Sequence, residues 1–174
     1  MTALTDKTSN ATKEINELNT DYNHAAGTLR RNSKMIRLIN FTKFIDKILS
    51  GEKCQTIRQP RKLPIKPGDT LNLYTGLRTK DCQLLGTAVC EKIVPIKIEV
   101  FDFGHTVFYT HKLGIFNPAD DYIKNEISKA DGFDNYGQME CFFVNTYKLK
   151  PKDIKDFEII AWKDFKPNLT INTT

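Results

Sequence analysis

From Met35 onward the apolar residues come in runs of strand length, broken by Pro and Gly, and none approaches the roughly 20 residues needed to cross a bilayer. Such a pattern calls for short strands sharing one core with a few amphipathic helices. MIRLINF reads as a strand. In the following FTKFIDKILSG, Phe41, Phe44, Ile45, Ile48 and Leu49 fall on one helical face, with Lys43, Asp46 and Lys47 opposite. Gly51 suits the left-handed stop of that helix. KCQTIRQP is extended and ends at Pro60. Pro67, Gly68 and Asp69 then mark a tight turn into the strand LNLYTG. LLGTAVCEKIVPIKIEVF supplies one or two further strands, with Pro95 at an edge or a bend.

The next segment turns helical. Asn117 and Pro118 have the character of an N-cap and first helical residue, and Ile123, Ile127 and Ala130 continue one face as far as Gly132. Asn135 with Gln138 resembles a capping box for a second helix carrying Met139, Phe142, Phe143 and Tyr147. FEIIAW is the closing strand. Strands on both sides of a helical insert imply an α+β fold, a small mixed β-barrel with flanking helices. One domain is expected over residues 34–166. Residues 1–33 form an extension, either one short helix near Ala11 to Ala26 or a disordered arm, and residues 167–174 a polar tail.

Charge is unevenly placed. The chain of 174 residues carries a net charge of +5. Residues 34–66 hold nine basic side chains (Lys34, Arg37, Lys43, Lys47, Lys53, Arg58, Arg61, Lys62, Lys66) against Asp46 and Glu52, a local net of +7. Concentrated positive charge is what a polyanion-binding surface needs, because each neutralised phosphate releases counterions. A solvated charged face has the same composition, and charge alone does not decide between them. Cys54, Cys82, Cys90 and Cys141 lie far apart, with neither a CxxC pair nor a Cys/His cluster, so free thiols are expected, without a metal or other cofactor. The polar N-terminal stretch lacks the apolar core of a secretory signal. A cytoplasmic protein with no membrane partner is the corresponding expectation.

The densest group of reactive side chains is in GEKCQTIR: Gly51, Lys53, Thr56 and Arg58. Strand alternation puts Thr56 and Arg58 on one face, with Lys53 in reach from the turn. The trio offers an ammonium, a directional hydroxyl and a planar guanidinium fork suited to phosphate or a base edge. A lysine buried beside another cation also loses basicity and becomes a candidate base or nucleophile. Ordinary pairing with local carboxylates at a turn is the competing reading.

GEKCQTIR, the KPGDTLNLYTG turn and strand, LGTAVC, and ADGFDNYGQMECFF before an aromatic-rich final strand together resemble the ASCH domain family over about Met35 to Trp162. The resemblance implies a PUA-like barrel whose cleft is lined by the GxKxxTxR segment, and a role with RNA, a nucleotide or a modified nucleoside. It is similar in motif to small bacterial members that hydrolyse the amide of N4-acetylcytidine with a Lys, a Thr and a Glu; other members are ribonucleases. By motif position the Lys falls at Lys53, the Thr at Thr56 and the adjacent Arg at Arg58. The acid falls at Asp131, one methylene shorter than Glu. On that reading Thr56 is the nucleophile, Lys53 removes its proton, Asp131 positions water, and Arg58 stabilises the oxyanion or holds the pyrimidine and ribose.

Further candidates surround this set. Tyr74 is placed to extend the substrate-binding surface; Tyr74, Phe103, Phe108 and Tyr109 suit either base stacking or the barrel wall, and Trp162 the core. His105 and His111 bracket FGHTVFYTH, with no third partner to make them an acid–base pair. Gly76, Arg78 and Thr79 sit at a turn from which Arg78 extends the cleft toward a phosphate, or forms an ordinary hairpin tip. Three functions follow: a module binding RNA or a modified base; a hydrolase of the same fold, acting on N4-acetylcytidine or cleaving RNA without metal; and a protein-interaction module whose basic face meets an acidic partner. The oligomeric state is left open.

Overall fold

Alternation of apolar and polar residues places the strands β1 (Ile36–Phe41), β2 (Gln55–Arg58), β3 (Thr70–Thr75), β4 (Gln83–Val100), β5 (Thr106–Lys112), β6 (Ile115–Pro118) and β7 (Ile154–Pro167). Three helices accompany them: α1 (Ile45–Leu49), α2 (Asp121–Ala130) and α3 (Tyr136–Tyr147). The computed structural model describes residues 34–101, 106–112 and 115–169. The N-terminal extension, Phe103, His105 and residues 170–174 lie outside the described residues.

The spine is the antiparallel β4–β7 ribbon, from Gly86↔Pro167 to Glu99↔Ile154. β3 flanks the first half of β4, and β1 pairs in parallel with β3. β5 flanks the second half and forms a hairpin with β6. β2 pairs only with β7, on the side away from β4. Pro95 sits where the outer neighbour of β4 changes from β3 to β5, the bend position its missing N–H favours.

A bulge between Cys90 and Lys92 explains how one strand serves two cores. One extra residue reverses which face the following side chains occupy. Before it, Leu85, Ala88 and Cys90 pack with Ile39, Leu71, Ile160 and Trp162; after it, Ile96, Ile98 and Val100 pack with Phe108, Phe143, Phe157 and Ile159. Ile159 and Ile160, adjacent on β7, thus belong to different cores. Burying a side chain of this size contributes about 1.5–3 kcal/mol, so the register is strongly determined.

The α+β architecture matches the expectation from sequence. Among the described residues no ladder joins β1 to β2, so the ring of strands stays open at that seam. Instead, Arg58 Nη2 donates to the carbonyl of Asn40, and Arg61 Nη1 to that of Leu38 at 2.9 Å. Asn117 and Pro118 close β6 rather than open a helix. They pair with β5, and the α2 cap is Asp120, whose carboxylate accepts from the Ile123 N–H at 2.8 Å. FGHTVFYTH supplies most of β5. The sheet extends further than the FEIIAW core, and Asn168 N–H still donates to Leu85 O at 2.9 Å. No described helix is long and apolar enough to cross a membrane.

Candidate functional site

Three local devices bring the chemistry to the open edge of β2. First, α1 ends and Gly51, at φ 80°, turns the chain so that the Lys53 N–H donates to Lys47 O at 2.8 Å and the Cys54 N–H to Ala130 O at 3.2 Å. Second, α2 ends in a Schellman-like turn: Phe133 N–H donates to Ser128 O at 2.9 Å, and Gly132 takes φ 92°. The Asp131 side chain meets β2 beside that turn. Third, a Cβ on Gly132 would come 3.1 Å from the Phe44 ring and 3.2 Å from the Lys53 stem. Glycine is required there both for conformation and for space.

The centre of the site is a buried pair. Lys53 and Asp131 are 3% and 4% exposed, and Lys53 Nζ lies 2.6 Å from Asp131 Oδ1 while also donating to the Asp131 carbonyl. Burial pushes the Asp131 carboxyl up to about 6, against the opposing pull of Lys53, Arg58 and the Ile57 N–H. Burial pulls the Lys53 ammonium down, with Asp131 acting the other way. Each group therefore resists its own charge, the condition in which side chains are tuned for chemistry or recognition.

Around the pair lies a cavity of about 270 Å³, lined by Thr56, Arg58, Asn40 and the aromatic rings of Phe41, Phe44, Phe133, Phe142 and Tyr147. Its size is near the lower end of small-ligand pockets, roughly 300–1,000 Å³. Phe133 meets Phe44 edge-on at 4.8 Å and Phe142 at 5.4 Å, so the rings brace one another. Phe44 is held at φ 61°, a conformation costing a bulky residue about 1–3 kcal/mol and characteristic of functional positions. Arg58 lies over the Phe41 ring at 5.1 Å, and its buried Nε–H has no partner among the described residues.

Beyond Arg58 the cavity adjoins an open groove of about 780 Å³ that shares Asn40 and Arg58 with it. Arg37, Arg61, Lys62 and Arg78 line the groove as well.

Lys53, Thr56, Arg58 and Asp131 thus come together as the sequence expects. Thr56 lines the cavity, but Lys53 Nζ bonds to Asp131 rather than to its hydroxyl. Arg78 reaches the neighbouring groove. Gly51 shapes the turn and Tyr74 is half-buried on β3, and neither is among the residues lining the cavity or the groove. Phe108 is fully buried and Trp162 is core. Asn40, Phe44, Phe133, Phe142 and Tyr147 are the lining residues that local sequence did not single out; the ADGF string and the Met-x-x-Phe-Phe helix were the available signals. All four cysteines are free, and no described cluster of His, Cys, Asp and Glu could hold a metal ion.

No family model matches the chain, and no curated protein matches it. Among solved structures it is similar to the crystal structure of ASCH from Zymomonas mobilis, with 17% identity and a TM-score of 0.45 over 78% of this chain and 71% of that one. Two mutant forms of that protein match at 18% and 17% identity, with TM-scores of 0.47 and 0.46, covering 80% and 79% of this chain and 75% and 76% of theirs. At these scores the likeness assigns neither an activity nor site residues.

Proposed function

We propose that the protein binds RNA, a nucleotide or a modified nucleoside, with the base entering the cavity beside the Lys53–Asp131 pair. We read the architecture as a PUA-like barrel left open at the β1–β2 seam, where the cavity lies. The observation that carries the proposal is Arg58: it lines the cavity and stacks on Phe41, and a buried Nε–H without a partner costs about 1–3 kcal/mol that a ligand acceptor would recover. Phe133 and Phe142 supply the flat apolar contact, and Thr56 a hydroxyl beside it. The motif resemblance of GEKCQTIR to the ASCH domain family points to the same ligand class. The test is equilibrium titration with cytidine and N4-acetylcytidine. Saturable binding weakened by Arg58→Gln is expected, whereas binding unchanged in that variant contradicts the reading.

A second reading is amide hydrolysis of N4-acetylcytidine, favoured by the lowered basicity of Lys53 next to Thr56 in one cavity. Thr56 Oγ1 would attack the acetyl carbonyl and pass its proton to neutral Lys53. Lys53 would return that proton to the departing cytidine amine, and water would release acetate from Thr56. Because Lys53 Nζ is held by Asp131, the base form requires the ammonium first to lose a proton. Chromatography for cytidine and acetate tests this: turnover abolished in Thr56→Val supports it, and turnover retained in that variant removes it.

A further inference from the structure

We infer that the groove lined by Arg37, Arg58, Arg61, Lys62 and Arg78 is a phosphate subsite, taking the phosphate ester of the nucleotide whose base occupies the cavity. The inference rests on the nucleoside reading of the cavity for the identity of the ligand; the affinity of the groove for phosphate does not.

Five cations line the groove and no carboxylate does. Arg37 is already committed, bonded to Asp69 at 2.9 Å and to Pro64 O at 2.9 Å. The others are not neutralised in this way. Arg58 and Arg61 each give one N–H to an edge carbonyl of β1, leaving the rest of a five-donor fork uncommitted. Lys62 and Arg78 are exposed, and neither has an ion pair or hydrogen bond among the described residues. Cations held close together without counter-charge are what a phosphate requires.

Asn40 makes this more than a chance cluster. Its backbone carbonyl accepts from Arg58, while its side-chain Oδ1 accepts from the Leu77 N–H at 2.8 Å. One residue therefore positions both the guanidinium shared with the cavity and the turn that presents Arg78. That turn is itself tied down: Thr79 N–H and Oγ1–H both donate to Gly76 O, at 3.0 and 2.7 Å. The distance from base to phosphate is thus governed by the same strand, β1, that walls the cavity.

The test uses the full chain and four probes: pyrophosphate, cytidine, cytidine 5′-monophosphate and a cytidine trinucleotide. Parent and Lys62→Gln/Arg78→Gln proteins are compared across a salt series, with thermal midpoints confirming that both fold. Pyrophosphate is expected to bind the parent and to weaken severalfold in the double variant. Phosphorylated ligands should bind the parent more tightly than cytidine, and the ratio should collapse in the double variant. For the trinucleotide the slope of log affinity against log salt should become shallower by about 1 for each cation removed. A trinucleotide tighter than the monophosphate identifies a strand as the source of the phosphate; equal affinity identifies a single phosphate ester. Phosphate that adds nothing over cytidine, or a gain that survives in the double variant, overturns the inference. Pyrophosphate binding that depends on Lys62 and Arg78, with no binding of cytidine, would remove the cavity reading and keep the groove.

Discussion

Lys53 and Asp131, 78 residues apart in the chain, meet at 2.6 Å with almost no solvent access, and their ionisation equilibria are displaced in opposite directions by the same burial. A pair so placed is weak evidence for stability, because desolvation of two charges offsets most of their attraction.

Removing both charges is therefore expected to stabilise the fold. Lys53→Met with Asp131→Asn should raise unfolding free energy at pH 7 by about 1–4 kcal/mol while abolishing ligand binding. Lys53→Met alone, which leaves the carboxyl buried without its cation, should be less stable than the double variant. Urea denaturation of the three proteins checks the order.

The same pair sets a pH dependence of definite sign. Asp131 titrates near 3.9 in the unfolded chain and at about 6 in the fold, so the folded state binds the extra proton between those values. Its stabilising contribution is complete below about pH 4 and is lost as pH rises through about 6. Relative to the double variant, the parent should lose stability over that interval. Denaturation midpoints at a series of pH values measure it, and a parallel course for the two proteins would refute the assignment.

Gly132→Ala should damage the site through geometry alone. The backbone there is left-handed, and the new Cβ would press on Phe44 and the Lys53 stem. A loss of about 1–3 kcal/mol in stability is expected. Weaker ligand binding should accompany it, read by thermal denaturation and titration side by side.

Phe142→Ala should cost about 1–3 kcal/mol of binding free energy if a base stacks on the aromatic wall. Phe142→Leu, which retains most of the apolar bulk but not the ring, should lose much of the same affinity while staying nearer the parent in stability. Equal affinity in the parent and both variants would place the base elsewhere.

What was legible in the sequence was local. β1, β2, β3 and the closing strand showed in alternation and in the Pro67–Gly68–Asp69 turn, and Lys53, Thr56 and Arg58 lay within six residues. The Asn135 cap was readable too, because its partner, the Gln138 N–H, is three residues away. The wrong start for α2 shows the opposite case: Asn117–Pro118 carries a good helix signal, but pairing of β6 with β5 outcompetes it and Asp120 becomes the cap. The cavity wall was hidden for a different reason. Phe133, Phe142 and Tyr147 reach β2 only through tertiary folding, and the engagement of Arg58 and Arg61 with β1 carbonyls has no signature beyond their charge.

The most direct test of the central claim is nuclear magnetic resonance of the labelled protein during titration with cytidine and N4-acetylcytidine. Saturable shifts confined to Asn40, Lys53, Thr56, Arg58, Asp131, Phe133, Phe142 and their neighbours are expected. Shifts that never saturate, or that map away from the β1–β2 seam, would contradict a nucleoside site in this cavity.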